Sequence, residues 1–331
     1  MRGVFFVSTL FFVLFSGCTS VKQVSQNVAH LELPEVALPT VNIATRDYGL
    51  KVSALPGGWQ LVAGANDDFS IANGCNIINT GFLPYEGGVL VINTGVSLQY
   101  GEQQRRLIES KSGRPVRQVL ALNLHPDYFF GHQAYADTVR LATAETMAGA
   151  TREGGAYADN LYRLCGDWMK GTESTPPALQ LSPGMLTVGE RTLELIELSG
   201  HTDSDLVVFD RQNGVMWAGG LVFNDRVPTM PHARLAPWLE SLERLKSYPV
   251  KVLVPSHGPI SDGSKAIDQT LDYLRWLDGL FTSAANQGLE INQVMRLPIP
   301  ERFSKMAAMP AEYHRTVATL YPAYETAAFG R

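Results

Sequence analysis

Short apolar runs of strand length alternate with segments of helical periodicity along most of this chain. Val116–Leu122 and Leu206–Asp210 are two such runs, and their length and content are typical of buried strands. In Leu235–Ser247 the apolar residues are instead three and four positions apart, which predicts an amphipathic helix. Strands mixed with helices over this length predict stacked sheets with helices outside them, a layered α/β domain.

The remaining elements follow from the same patterns. Gln99–Ser112 is predicted to be a helix that ends before Gly113, a candidate C-cap. Further helices are predicted at Ala156–Lys170 and Ile267–Phe281, and further strands at Trp59–Ala63, Cys75–Leu83, Gly88–Asn93, Leu193–Leu198, Val215–Ala218 and Lys251–Pro255.

The N-terminus has the pattern of an export signal. Its apolar run, Val4–Phe15, is too short to span a bilayer as a mature helix. The run ends in Phe15-Ser16-Gly17-Cys18, which resembles a bacterial lipobox, so residues 1–18 are predicted to be a lipoprotein signal peptide with Cys18 acylated. Phe15 stands where Leu is more usual, and ordinary secretory cleavage is the alternative. Because Thr19 follows the cysteine, the sorting rule predicts the outer membrane, facing the periplasm.

The rest of the chain divides into a tether and one domain. Residues 19–45 are polar and interrupted by proline, which predicts a tether between lipid and domain. Residues 46–331 form the predicted domain, and roughly the last 40 of them are expected to be a helical C-terminal extension. The net charge of -5 and the absence of a basic stripe predict no nucleic-acid partner.

Two cysteines, Cys75 and Cys165, remain in the body of the chain. Export implies an oxidising compartment, in which the pair could form a disulfide. Two buried and unlinked thiols are the alternative, and the sequence does not separate the two.

Three histidines follow predicted buried strands directly. They are His125 in LNLHPDYFFGH, His201 in LSGHTDSD and His257 in VPSHGP. A rigid sheet can hold side chains at such strand ends while the loop stays open to a substrate. Asp127 adds a carboxylate beside His125, and imidazoles with a carboxylate are the ligands that zinc prefers. The shared context predicts a metal site, although any one of these histidines alone is more often structural.

Seven segments follow one another along the chain: GANDDFSIANGCNIINTGF, YGEQ, HPDYFFGHQAY, YADNLYRLCGDWMKGTE, GHTDSDLVVFD, AGGLVFNDRVPT and VPSHGPI. As an ordered series they resemble the metallo-β-lactamase superfamily, and more narrowly its quinoprotein relay system zinc metallohydrolases. The resemblance implies a four-layer αββα sandwich with a metal cleft at the edge where the two sheets meet. It also implies a link to quinoprotein dehydrogenases and c-type cytochromes as partners.

Several positions depart from the metal ligands that the resemblance implies. The superfamily motif HxHxDH corresponds here to Asn123-Leu124-His125-Pro126-Asp127-Tyr128, so Asn123 and Tyr128 replace two histidines. Gly220 stands where relatives have the bridging aspartate, and Asn93 where they have the aspartate of a DTG motif. His125, Asp127, His201 and His257 keep four of the seven ligand positions. A binuclear centre is therefore not expected, and the cleft is predicted to hold one zinc ion at most.

Two further histidines could compensate for lost ligands. His132 lies just beyond the motif, and a structural role at a helix start is its alternative. His232, in PTMPHARL, is expected near the mouth of the cleft, where a substrate-side role is as well supported as a structural one. Asp203 and Asp205 are predicted to order the loop after His201.

Three hypotheses for the function follow. The first is a hydrolase with one zinc ion held by His125, His201 and His257, in which Asp127 orients water or acts as the base. The second is a catalytically inactive protein that uses the cleft to bind a small molecule or a partner. The third is an envelope scaffold whose cleft is filled by Tyr128 and other bulky side chains. The substrate does not follow from the fold, which hosts many chemistries.

Overall fold

A computed structural model describes residues 1, 3 and 32–330. Glu32–Arg331 forms one compact unit. Cys18 with its lipobox and residues 19–31 of the predicted tether lie outside the described residues. Among the described residues, no helix combines the length and the hydropathy needed to cross a bilayer.

The unit contains two β-sheets, one of seven strands and one of six. The first sheet has the strand order β1-β2-β3-β4-β5-β6-β7, and the second has the order β13-β12-β11-β10-β9-β8. Strands β4 to β7 are parallel neighbours, as are β11 and β12. The strands are β1 Ser53–Ala54, β2 Gln60–Val62, β3 Thr80–Tyr85, β4 Gly88–Ile92, β5 Val116–Leu120, β6 Val139–Ala142, β7 Leu179–Gln180, β8 Gly184–Val188, β9 Arg191–Leu198, β10 Asp205–Asp210, β11 Val215–Trp217, β12 Val252–Val254 and β13 Ser261–Asp262.

The helices begin and end where local chemistry favours it. The clearest case is α1, where Ser97 accepts a hydrogen bond from the backbone N–H of Tyr100, and Gly113 ends the helix in the left-handed region at φ 65°. The helices are α1 Leu98–Ser112, α2 Pro126–Phe129, α3 Ala144–Cys165, α4 Leu235–Lys246, α5 Lys265–Asn286, α6 Ile291–Val294, α7 Glu301–Ser304 and α8 Ala311–Phe329.

Along strands such as β4 and β10, the apolar side chains alternate between the core between the two sheets and a second core on the outer face of the strand's own sheet. In β4, Leu90 and Ile92 belong to the core between the sheets, whereas Val89 and Val91 pack on the outer face with Ile108 of α1. In β10, Leu206 and Val208 face the core between the sheets, and Val207 and Phe209 pack among the buried residues of α4 and α5 on the other side. The layers therefore run helix, sheet, sheet, helix, and the predicted αββα architecture is confirmed.

Helix α3 begins twelve residues earlier than the sequence predicts, since it starts at Ala144 and not at Ala156. Thr143 caps it by accepting from the N–H of Thr146. Glycines at 149, 154 and 155 lower the helix propensity of this stretch and concealed the start. The packing explains one of them, because a side chain at Gly149 would meet Leu124 at 2.9 Å.

Two other boundaries differ from the prediction. Strand β3 begins at Thr80 and not at Cys75, because the side chain of Asn73 accepts from the backbone N–H of Cys75 and the chain turns there. Residues 32–45 of the predicted tether include three side chains that pack against the body of the domain: Leu33, Val36 and Val41. Apolar burial thus holds this part of the chain on the domain surface.

Candidate active site

One cavity of about 200 Å³ is lined by all four residues that the sequence predicts as metal ligands, His125, Asp127, His201 and His257. His125 follows β5, His201 follows β9 and His257 follows β12, so loops from both sheets contribute. The remaining lining is mainly apolar and comprises Phe69, Ile77, Pro126, Tyr157, Asn160, Leu161, Thr229 and Pro231. The cavity has the small volume and the mixture of apolar walls with few polar groups that suit a small molecule.

The carboxylate of Asp205 contacts one nitrogen of His201 and fixes the orientation of the ring. Its Nδ1 lies 3.3 Å from Oδ1 of Asp205, and the other oxygen of Asp205 accepts from the backbone N–H of Thr202 at 2.8 Å. Nδ2 of Asn123 also lies 3.3 Å from Nδ1 of His201, but only the carboxylate of Asp205 can accept a proton from that nitrogen. Donation from Nδ1 to Asp205 leaves Nε2 with a lone pair. This Nε2 is buried and has no hydrogen-bond partner among the described residues. An unsatisfied buried nitrogen in a native protein points to a water molecule, an ion or a ligand that completes it.

His257 is oriented in a similar way by the backbone. Its Nδ1 donates to the carbonyl oxygen of Ile77 at 2.9 Å, so its Nε2 also presents a lone pair. Oδ2 of Asp127 lies 3.5 Å from that Nε2. Burial and the nearby Arg226 lower the pKa of His257 well below its usual value, although the hydrogen bond to Ile77 acts in the opposite direction.

Asp127 is the carboxylate of the cavity. Burial raises its pKa to about 6, while its own backbone N–H, Arg226 and His201 act to lower it. Its position at the start of α2 follows from Pro126, which favours the first helical turn.

His125 is bonded to a pair of residues outside the cavity. Its Nε2 lies 3.0 Å from Nδ1 of His232, and Nε2 of His232 lies 2.8 Å from Oε2 of Glu153. Burial and the imidazoles of His201, His232 and His257 lower the pKa of His125 well below its usual value. The sequence missed Glu153 because α3 was predicted to begin after it; a correct helix start would have placed it one turn before Tyr157.

The side chain of Asn123 is engaged with its neighbours. Its Oδ1 accepts from the backbone N–H of His125 at 2.9 Å, and its Nδ2 lies 3.3 Å from Oδ1 of Asp205. The carbonyl oxygen that could have replaced a lost imidazole ligand is therefore already bonded. Asn93 has an analogous local role, because its Oδ1 accepts from the backbone N–H of Leu122 at 3.2 Å.

Tyr128 and Gly220 occupy the other substituted positions. Tyr128 is fully buried in the core between the sheets and does not line the cavity, so it does not fill the cleft as the scaffold hypothesis requires. A Cβ atom at Gly220 would overlap Nδ1 of His201 and would lie 2.5 Å from Nδ2 of Asn123. The space for a bridging carboxylate is therefore taken by His201 and Asn123.

His132 lies apart from the other candidate residues. It is fully buried outside the cavity lining, and its Nδ1 donates to the carbonyl oxygen of Thr175 at 3.1 Å. Burial and Arg140 lower its pKa to about 3. Its Nε2, like that of His201, is buried without a hydrogen-bond partner among the described residues, but His132 lies outside the cavity that the other candidate residues line. Its position therefore fits the structural role that the sequence left open.

The arrangement of these groups bears on whether zinc can bind. Among residues 32–330, no three His, Cys, Asp or Glu side chains lie close enough together to hold one metal ion as they stand. The cavity groups meet in pairs instead, such as Asp127 with His257. The chemistry of the donors nevertheless fits zinc, because neutral imidazoles backed by carboxylate or carbonyl acceptors, with a carboxylate beside them, are the usual zinc ligands.

Cys75 and Cys165 form a disulfide, which settles the alternative left open above. Cys165 is the last residue of α3, and Cys75 belongs to the loop before β3. The bond therefore fixes the end of the helix that carries Tyr157, Asn160 and Leu161 into the cavity wall.

Comparisons with known proteins agree with this fold. A family model described as the metallo-beta-lactamase superfamily matches residues 73–257, more than half of the chain. A metallo-beta-lactamase from Pontibacter korlensis is 21% identical, with a TM-score of 0.56 over 68% of this chain and 99% of that chain. TMB-1 is 18% identical, with a TM-score of 0.53 over 69% of this chain and 98% of that chain. At these identities the two structures support the fold alone.

A curated relative is the linear primary-alkylsulfatase of Pseudomonas sp., which is 17% identical over 275 residues. The match covers 70% of this chain and 52% of the relative, so the chain spans about half the length of that protein.

Proposed function

Because the chain belongs to the metallo-β-lactamase superfamily, we propose that it is a divergent hydrolase whose cleft holds one zinc ion at most. His125, His201 and His257 would hold the ion, and Asp127 would orient the attacking water. The observation that carries this proposal is the buried Nε2 of His201, which has no hydrogen-bond partner among the described residues. An unpaired imidazole lone pair beside further imidazoles can be satisfied by a bound cation or by a hydrogen-bond donor.

The three imidazoles support the proposal together. The outer nitrogen of each faces a hydrogen-bonding group: Asp205 for His201, the Ile77 carbonyl for His257 and His232 for His125. Zinc-binding histidines have this kind of outer partner, which fixes the tautomer and raises the basicity of the inner nitrogen. The low pKa values of His125 and His257 keep these two rings neutral, as a ligand must be.

The residues of the cavity would divide the chemistry among them. When bound, a zinc ion supplies Lewis acidity that polarises the bond to be hydrolysed. Asp127 lies beside His257 and accepts a proton or holds a water molecule within the cavity. The apolar side chains of Phe69, Ile77 and Leu161 exclude bulk water and strengthen these polar contacts.

The lining also suggests the class of substrate. A cavity of about 200 Å³ with mainly apolar walls accepts a short apolar group with one polar, hydrolysable end. The alkylsulfatase relative, whose name describes a substrate of that kind, supports this proposal at the level of a shared fold.

Metal analysis tests the proposal directly. We expect the purified protein, under zinc-replete conditions, to carry about one equivalent of zinc, which is lost in His201→Ala and in His257→Ala because each removes a donor. His314→Ala is the matched control, since His314 lies on α8 outside the cavity and should keep the zinc. Zinc-replete protein without bound metal would overturn the proposal.

A binding protein without catalysis is the second candidate, and one observation favours it. The described side chains include no group of three that is close enough to grip a metal ion. In that case the same cavity would bind a small molecule whose hydroxyl group donates to an imidazole lone pair and whose aliphatic part packs on the apolar walls. Metal-free protein that binds a small aliphatic alcohol, with weaker binding in His201→Ala, would favour this candidate over the first.

We also propose, from the apolar run and the lipobox-like Phe15-Ser16-Gly17-Cys18, that the protein is anchored to the outer membrane through Cys18. Quinoprotein dehydrogenases or c-type cytochromes are the partners proposed from the family resemblance. Co-purification of such a partner from envelope extracts is the measurement that tests this part.

A further inference from the structure

We propose that Glu153 and His232 are positioning residues that fix the tautomer of His125, so that its Nδ1 is the nitrogen offered to a ligand in the cavity. The inference rests on the proposed function, in which His125 binds through that atom. Neither Glu153 nor His232 lines the cavity, so both act through His125. They form a continuous chain of hydrogen bonds from α3 to the cleft.

The acceptor at the outer end sets the direction of this chain. Glu153 offers only carboxylate oxygens, so His232 donates to Oε2 from its Nε2, across 2.8 Å. When His232 is neutral, its lone pair is on Nδ1, and that atom accepts the proton of Nε2 of His125, across 3.0 Å. In that form of the pair, His125 carries its proton on Nε2 and its lone pair on Nδ1.

Two further contacts hold Glu153 in place. Tyr157 donates its hydroxyl to Oε2 across 2.8 Å, and Arg152 donates to Oε1 across 2.6 Å. Burial acts to raise the pKa of Glu153, but the hydrogen bonds from Arg152, Tyr157 and His232 outweigh it and lower the pKa. The side chains of Glu153 and His232 are 22% and 27% exposed, so the pair is partly shielded from competing water.

Without Glu153 and His232, no contact within the part of the chain that the structure describes would determine which nitrogen of His125 carries the proton. Among the described residues, the contact of Nε2 with His232 is the hydrogen bond that the ring of His125 makes, so this contact alone distinguishes the two tautomers. If His232 donated from Nδ1 instead, the proton of His125 would move to the cavity side and block the lone pair. The carboxylate of Glu153 is the group that prevents this reversal.

Long-range ¹H–¹⁵N correlation spectra of the imidazoles, recorded on metal-free protein, test the proposal. We expect His125 to be protonated at Nε2 alone in the wild type, and to become a mixture of tautomers in His232→Phe and in Glu153→Gln. Phenylalanine keeps a ring but offers no acceptor, whereas glutamine can donate as well as accept. Arg152→Gln is the matched control, because it removes an exposed partner of Glu153 and leaves the chain to His125 intact.

The signal of His201 shows whether a variant is folded. Asp205 holds that ring independently, so its Nδ1–H should persist in every variant. Wild-type His125 protonated at Nδ1, or an unchanged tautomer in His232→Phe with the His201 signal intact, would refute the positioning role. If His125 is protonated at Nε2 alone and the protein binds no zinc, the zinc proposal fails while the positioning role of Glu153 and His232 stands. If both hold, zinc affinity should fall roughly 10- to 100-fold in His232→Phe.

Discussion

The missing side chain at position 220 determines how His201 and Asn123 are arranged. Gly220 lies in the middle of the short turn Gly219–Leu221 after β11, and the ring of His201 and the amide of Asn123 occupy the space where its side chain would be. His201 is itself packed against Trp238 and Phe223, so its ring cannot move away cheaply. The absence of a side chain at Gly220 therefore leaves the space in which His201 contacts both Asn123 and Asp205.

This packing predicts that Gly220→Ala is destabilising. The added methyl group would overlap Nδ1 of His201, so we expect the free energy of unfolding to fall by about 1–3 kcal/mol, the usual range for overpacking a core. Gly279→Ala is the control, because Gly279 lies exposed in α5 with open space around it. There the substitution should add about 0.5–1 kcal/mol. Urea unfolding followed by circular dichroism measures both, and equal effects would contradict the packing argument.

The burial of His132 predicts that the free energy of unfolding depends on pH. Its pKa is 6.5 in the unfolded chain and about 3 when buried beneath the loop that contains Thr175. Between these two pKa values the unfolded chain binds a proton that the folded chain does not, so acidification favours unfolding. The contribution of neutral His132 to the free energy of unfolding is therefore complete above pH 6.5 and is lost as the pH falls towards 3. The slope is at most about 1.4 kcal/mol per pH unit.

Urea unfolding between pH 4 and pH 8 (about the practical range for a folded domain) checks this prediction. His132→Gln should reduce the loss of stability on acidification, because glutamine does not titrate. His314→Gln on α8 is the control and should follow the wild type. A wild-type slope retained in His132→Gln would show that other groups cause it.

Helix α3 is the element on which the cleft depends most. It carries Glu153, which orients His232, and it contributes Tyr157 and Leu161 to the cavity wall. Its N-terminus is capped by Thr143, and its C-terminal residue is bonded through the disulfide to the loop before β3. The two ends are thus fixed independently, which keeps the cavity wall in register with the histidine loops.

The disulfide predicts a large contribution to stability. It links residues 90 positions apart, and closing a loop of that size restricts the unfolded chain. The double variant Cys75→Ala/Cys165→Ala should therefore lose about 2–5 kcal/mol in the free energy of unfolding. Denaturation with and without reductant checks this, and the double variant provides the control because reductant should leave it unchanged. A wild type that is indifferent to reductant would contradict the prediction.

At the scale of the whole molecule, the two sheets bring distant loops to one cavity. His125 and His257 are separated by more than a hundred residues, yet both follow strands whose ends meet at the same edge. Burial of the apolar faces between the sheets holds these ends together. Small changes in individual loops can therefore alter the metal chemistry while the fold is kept.

The N-terminal sequence predicts where this molecule acts. Acylation of Cys18 would attach the domain to a membrane, with residues 19–31 and the packed segment after them as the connection. Cys18→Ser should move the protein from the membrane pellet to the soluble fraction of a bacterial host, and metabolic labelling with a fatty acid should be lost. Thr19→Ser is the control and should remain in the pellet. Labelled Cys18→Ser protein would contradict acylation at this residue.

The sequence alone was sufficient for the fold class and for most elements. Strand β4 and helix α1 were found almost to the residue, because alternation and a cap are local signals. The ends of α3 and β3 were not, since the glycines of α3 are set by contacts such as that of Gly149 with Leu124. Local propensity carries no information about such contacts.

For the cleft, the sequence was sufficient to find four residues that line one cavity, because His125, Asp127, His201 and His257 each follow a strand in a recognisable loop. Only the tertiary structure decided how they pair. The contact of His232 with Glu153 and the closure of the space at Gly220 join residues far apart in the chain. Hydrogen bonds and steric overlap act only between atoms a few ångströms apart. The number of residues between two positions in the sequence does not show whether their atoms come that close.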